Sequence, residues 1–368
     1  QWLTIIENQS LIRLNGLESV TNIGEGLQLE NNQQLTVLDG FPNLTELRRF
    51  ELRNTSIRSI RSFGVQRITD NLTVENNPDL VSLTGFDRLA SVRELYIARN
   101  QSLRTIAGFD ALTTLDGLTL EDNEFLISAE FGALSQARSI RIERNRSLNA
   151  SPRFPALELV DGDVNITNNE SLESLGDFNA LQTVNAIRIQ NNSSLETIAG
   201  FQSLQTINND IRIENNRELT TLADGFGQLQ QVERAYIRNN DQLCDIEAHY
   251  IFQPLDDPLR QGSIQNNDGT LDACGTCGGD VVDWRECADL ARREPDIFRY
   301  FDLVVELNSC YPEDEPAAEA ERHAWYVQTM TTNASAMALF FQCFADIAPS
   351  RNDGACPTEE QEAVCYGE

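Results

Sequence analysis

Asparagine returns along this chain with a regularity that few folds can accommodate. It stands at Asn8, Asn32, Asn54, Asn77, Asn100, Asn123, Asn145, Asn169, Asn192, Asn216 and Asn240, in steps of 22 to 24 residues. Apolar slots are fixed around it. Asn77 is followed by Leu80, Leu83, Gly85, Phe86, Leu89 and Val92, and Leu95 and Ile97 lead into Asn100. A period of this length with constant apolar positions marks stacked repeats, each burying its apolar face only against its neighbours.

A short alternating segment precedes each Asn, as in Leu72-Thr73-Val74, Leu118-Thr119-Leu120 and Ile211-Arg212-Ile213. Alternation with β-branched residues reads as a strand with one buried face. One strand per repeat, always in the same direction, predicts a parallel sheet running along a coil. At ~4.8 Å per strand, eleven rungs extend roughly 50 Å. Phe41, Phe63, Phe86, Phe109, Phe154, Phe178 and Phe201 occupy an aromatic slot inside the coil. The Asn has a structural task, because a tight corner buries backbone N–H and C=O groups that no strand satisfies. A short amide, donor and acceptor together, bonds them from rung to rung. Two irregularities read as local bulges: Asn54 sits one residue closer to its strand, and the stretch from Phe125 to Phe131 shifts the aromatic slot by one.

The pattern Asn-x-x-Leu-x-x-Leu-x-Gly-Phe-x-x-Leu, closed by Leu-x-Ile-x-x-Asn, resembles the receptor L-domain. That family comprises the leucine-rich-like β-solenoids of growth-factor and insulin receptor ectodomains. The pattern is also similar to the repeats of fungal glycolipid-anchored cell-wall proteins. The resemblance spans about residues 2–246 and implies a right-handed parallel β-solenoid, here of about eleven repeats. It does not carry hormone binding with it, since this chain has more rungs and no cysteines inside them.

An outward row runs along the predicted sheet, and solenoids bind through such faces. Its segment Arg188, Arg212, Tyr236 and Arg238 gathers cations on an acidic chain, and Arg and Tyr are common interface anchors. The competing reading is a solvated checkerboard in which Glu143 and Glu214 neutralise the arginines across rungs. At the other end, Trp2, Leu3, Ile5, Leu11 and Leu14 of the first rung form an apolar cross-section. It is expected to be covered by an upstream domain or a neighbouring subunit, a route to self-assembly. The chain begins without Met, inside a repeat, which points to processing or to a longer polypeptide.

Past residue 248 the period fails. Residues 249–280 read as a Cys/Gly/Asp-rich junction and 281–368 as a small helical cap domain. All eight cysteines, Cys244, Cys274, Cys277, Cys287, Cys310, Cys343, Cys356 and Cys365, fall after residue 243. An even number confined to one part points to disulfides and an oxidising compartment, hence a secreted or cell-surface protein. Asn266 and Asp268 partly fit a calcium loop, but Ile264 and Gly275 stand where two ligands belong, so calcium is the weaker reading against a plain turn.

The formal charge is −29 and all 28 basic residues are Arg, which argues against nucleic acid and anionic membranes. No run of ~18 apolar residues would insert into a bilayer. The two histidines, His249 and His323, accompany no nucleophile pattern, and no Gly-rich phosphate loop follows a strand. Twelve Asn-x-Ser/Thr sequons occur, most of them a by-product of the repeat, leaving Asn43 and Asn333 as the better glycan acceptors. Without a cofactor or catalytic constellation, two functions remain: a structural or adhesive surface element that self-associates, and an ectodomain that recognises a protein or glycan on its sheet face.

Overall fold

The computed structural model describes residues 1–61, 63–222, 225–243, 263–265 and 267. They form a parallel β-solenoid with one rung about every 23 residues. The twelve strands of its main sheet lie side by side in chain order. They begin with Trp2–Ile6, Asn22–Glu30, Glu46–Arg53 and Arg67–Glu75. Ser91–Ala98, Thr114–Glu121, Gln136–Glu143 and Leu159–Thr167 follow. Thr183–Gln190, Thr206–Glu214, Gln231–Arg238 and Ser263–Gln265 complete it. Short two-residue strands, such as Ser82–Leu83 and Thr105–Ile106, pair on another side of the coil.

The last strand corrects the expected boundary. Ser263–Gln265 pairs in parallel with Gln231–Arg238, and Asn267 continues the buried ladder, so these residues belong to the solenoid and not to a junction. The 27-residue step from Asn240 to Asn267 broke the 22–24-residue period and hid this rung from the sequence. The eight cysteines, Asn266, Asp268, Asn333 and the expected helical cap lie outside the described residues.

Inside the coil the Asn side chains work as a clamp. The Asn123 Oδ1 accepts the Asn100 backbone N–H at 3.2 Å, while the Asn123 Nδ2 donates to the Ile97 carbonyl at 2.9 Å. The same double bond to the preceding rung recurs at Asn145, Asn169, Asn192, Asn216 and Asn240. Interior ladder residues such as Asn77 and Asn192 are 0% exposed. Asn8, at the first rung, is exposed and bonds its own Ile6 carbonyl.

Asn54 is not part of this ladder. Thr55 takes the slot, donating through its N–H and hydroxyl to the Asn77 Oδ1 at 3.1 and 2.7 Å. Asn54 stands one position earlier with φ 52°, a left-handed conformation shared by Asn31, Asn76, Arg99, Asp122, Arg144 and Asn168. Each of the first eleven rungs places a residue there, and Asn and Asp tolerate that backbone better than most side chains. The single-residue offset read from the sequence is therefore an exchange of roles between neighbours.

The core is aromatic along its length. Phe41, Phe63, Phe86, Phe109, Phe131, Phe154, Phe178, Phe201 and Phe226 form an unbroken file with ring centroids 5.0 to 6.2 Å apart. Phe131 fills the shifted slot at 0% exposure, whereas Phe125 is 48% exposed. The Gly ahead of many of these rings lets two turns approach. A Cβ on Gly85, which has φ 93°, would stand 2.8 Å from the Ile60 carbonyl oxygen.

Candidate functional site

The sheet face carries outward files of side chains, and parallel register puts equivalent residues of successive rungs beside one another. Arg141, Asn165, Arg188, Arg212 and Tyr236 are consecutive partners, as are Gln190, Glu214 and Arg238. The four residues singled out in the sequence are thus brought together. Tyr236 lies between two guanidiniums, with the Arg212 and Arg238 Cζ atoms 4.3 and 4.8 Å from its ring centroid. Each such contact is worth about 0.5–2 kcal/mol according to how dry it is.

Their charge is answered within the face. Arg188 bonds Asp163 and reaches Asp210 at 3.6 Å, and Arg212 bonds Asp210 through Nε. Asp210 is only 5% exposed, a carboxylate held between two arginines. Glu214 lies 3.8 Å from Arg238, as the checkerboard reading has it, while Glu143 pairs with Arg141 and Arg144. Asp163 and Asp210 were missed in the sequence because the strand registers shift just before them. The available signal was the step length: the rungs ending at Asn169 and Asn216 are 24 residues long, leaving room for a bulge.

A second polar locus lies midway along the face. Asp70 accepts from Arg49 at 2.6 Å, and that bond holds its carboxyl below the usual range. Arg93 links Asp70 to Asp116 at 3.4 and 3.3 Å. Glu94, beside the bare Gly117, is pushed the other way, first by burial and then by the Asp116 charge. Along the turn edge, Asn76, Arg99, Asp122, Arg144, Arg146 and Glu170 line an open groove of about 590 Å³. Arg144 there bonds Asp122 at 2.7 Å and also Glu121 and Glu143, so the groove's central cation is engaged by carboxylates.

The first rung is only partly covered, with Trp2, Ile6 and Ile12 exposed. Leu14 is 6% exposed and belongs to the core, because Gly40 of the next rung packs directly on it. Leu3, Ile5 and Leu11 are half-buried, and Trp2 remains 42% exposed with the Arg49 guanidinium 5.9 Å from its ring.

Among the described residues no group of three or more His, Cys, Asp or Glu is arranged to hold a metal ion, and no helix is long and apolar enough to cross a membrane. Asn43 is exposed and donates to the Glu18 carbonyl at 2.7 Å. No family profile matches the chain, and no curated protein matches it.

Proposed function

We propose that this protein is a non-catalytic structural and adhesive element of a cell surface, a stiff solenoid that assembles with copies of itself. The observation that carries this reading is the internal neutrality of the arginine strip. Arg188, Arg212 and Arg238 each meet a carboxylate of their own face, leaving a flat, interlocked surface in place of a pocket awaiting a small ligand. The resemblance of the repeats to receptor L-domains and fungal wall proteins supports an extracellular setting. The eight cysteines beyond residue 243 support it too. Recognition of a protein or glycan on the same face is the second reading. The ring of Tyr236, clasped by two guanidiniums, is the observation that favours it.

The test is light scattering and electron microscopy of the 1–368 chain across ionic strength. Association is expected to strengthen as salt screens the repulsion of a −29 charge. A strictly monodisperse monomer under all conditions sinks self-assembly. Loss of a partner or glycan on Tyr236→Ala, in a chain that stays monomeric, favours recognition instead.

A further inference from the structure

Away from the sheet face, one file of the coil carries charges that find no answer in the described residues. It consists of the residue that follows the first buried aliphatic of each rung. Over rungs three to six it reads Arg58, Val81, Arg104 and Ile127, at rung seven Asn149, and over rungs eight and nine Glu173 and Glu196. Backbone bonds of 2.8 to 2.9 Å run Arg104 to Val81, Ile127 to Arg104 and Glu196 to Glu173. Val81 and Ile127 are 47% and 43% exposed, and Phe125, two residues before Ile127, is 48% exposed. These three are half of the six large apolar side chains exposed among the described residues.

Arg58 and Arg104 are exposed and have no ion-pair partner among the described residues. The arginines of the sheet strip, by contrast, each meet a carboxylate of their own face. Glu173 and Glu196 are likewise exposed and unpaired. The file is cationic and apolar over rungs three to six and anionic at rungs eight and nine, and a second copy running antiparallel brings rung three against rung nine at full overlap.

Resting on the self-assembly reading above, we infer that this file is the contact of an antiparallel homodimer with its two-fold axis at the sixth rung. Phe125 and Ile127 meet their own copies at the axis and supply the apolar centre. Three rungs away, about 14 Å at ~4.8 Å per rung, Arg58 meets Glu196 of the partner subunit on either side. Arg104 falls one rung from Glu173 of the partner subunit, within reach of its long side chain. The contact is isologous, so each pair occurs twice and the assembly closes.

The experiment is sedimentation equilibrium of the full chain at physiological ionic strength, with circular dichroism to verify that each variant keeps its strand signal. The wild type is expected to dimerise. I127D and R58E, each acting twice per dimer, should weaken dimerisation roughly tenfold or more, because desolvated apolar centres and opposed charges set such contacts. The decisive variant is R58E/E196R, which swaps the charges and should restore wild-type dimerisation. Association that survives I127D and R58E, or a swap that fails to restore it, overturns this dimer and leaves self-assembly through another face standing. A wild type that is monomeric at every concentration overturns both.

Discussion

A ladder asparagine is a residue whose two amide ends serve the backbone of another rung. At Asn192, the Oδ1 takes the Asn169 N–H at 3.0 Å and the Nδ2 reaches the Ile166 carbonyl at 3.0 Å. Asn192→Ala therefore orphans a donor and an acceptor in a place without water, a loss of about 1–3 kcal/mol in chemical denaturation. Asn149, exposed and off the ladder, should lose little when changed to Ala. Equal losses at the two positions would contradict the clamp. Glu94 gives the opposite kind of residue, a carboxylate its surroundings prefer neutral. Burial raises its folded pKa above the ordinary 4.5, so it destabilises the fold once pH rises through that ordinary value and the group must ionise. Glu94→Gln is expected to raise the melting temperature at about pH 7. The gain should vanish toward about pH 3.5, where both states are protonated. A gain that persists unchanged in acid would show that ionisation is not its source.

At the scale of the element, the phenylalanine file binds rung to rung as the strands do. Phe131 is fully buried between Phe109 and Phe154, with centroids 5.6 and 5.4 Å away, so Phe131→Ala should cost about 3–5 kcal/mol. Phe125→Ala should stay within about 0.5 kcal/mol in the dissociated chain, where the ring is exposed. Urea unfolding of the two variants separates the residues cleanly. The comparison also shows where the sequence was readable. Period, strand direction and the aromatic slot were legible because each rung repeats the same burial, and repetition averages out local noise. A single rung departing from the pattern was not. Thr55 stands in the slot expected for Asn54 and donates its N–H and hydroxyl forward to Asn77. Asn267 was hidden by a lengthened step. The arginine strip was found as a set of neighbours, yet its neutralisation by Asp163 and Asp210 depended on bulges whose position one-residue differences in spacing do not locate.

For the whole molecule, stability is distributed between neighbours. Neighbouring rungs are joined by the backbone ladder and, along most of the coil, by the amide clamp and the aromatic file, so no long-range covalent staple is needed within the coil. The described residues contain no cysteine, and all eight in the chain lie between residues 244 and 365. Disulfides, where they form, act by restricting the unfolded chain between their ends, a stabilisation of typically 2–4 kcal/mol confined to the loops they close. A reductant should therefore leave the parallel sheet's circular dichroism and its urea midpoint nearly unchanged, while any reducible stabilisation appears in the segment after Cys244. The twelfth rung sharpens this test, since Ser263–Gln265 is a strand of the sheet that follows the first cysteine in the chain. Its amide protection from hydrogen exchange should be the only part of the sheet to fall on reduction, with Asn240 next to respond through its bond to Asn267. Loss of protection spreading at once to the Phe86 and Phe109 rungs would mean that the coil depends on its cysteine-bearing end as a single cooperative unit, and the neighbour-by-neighbour picture would have to be abandoned.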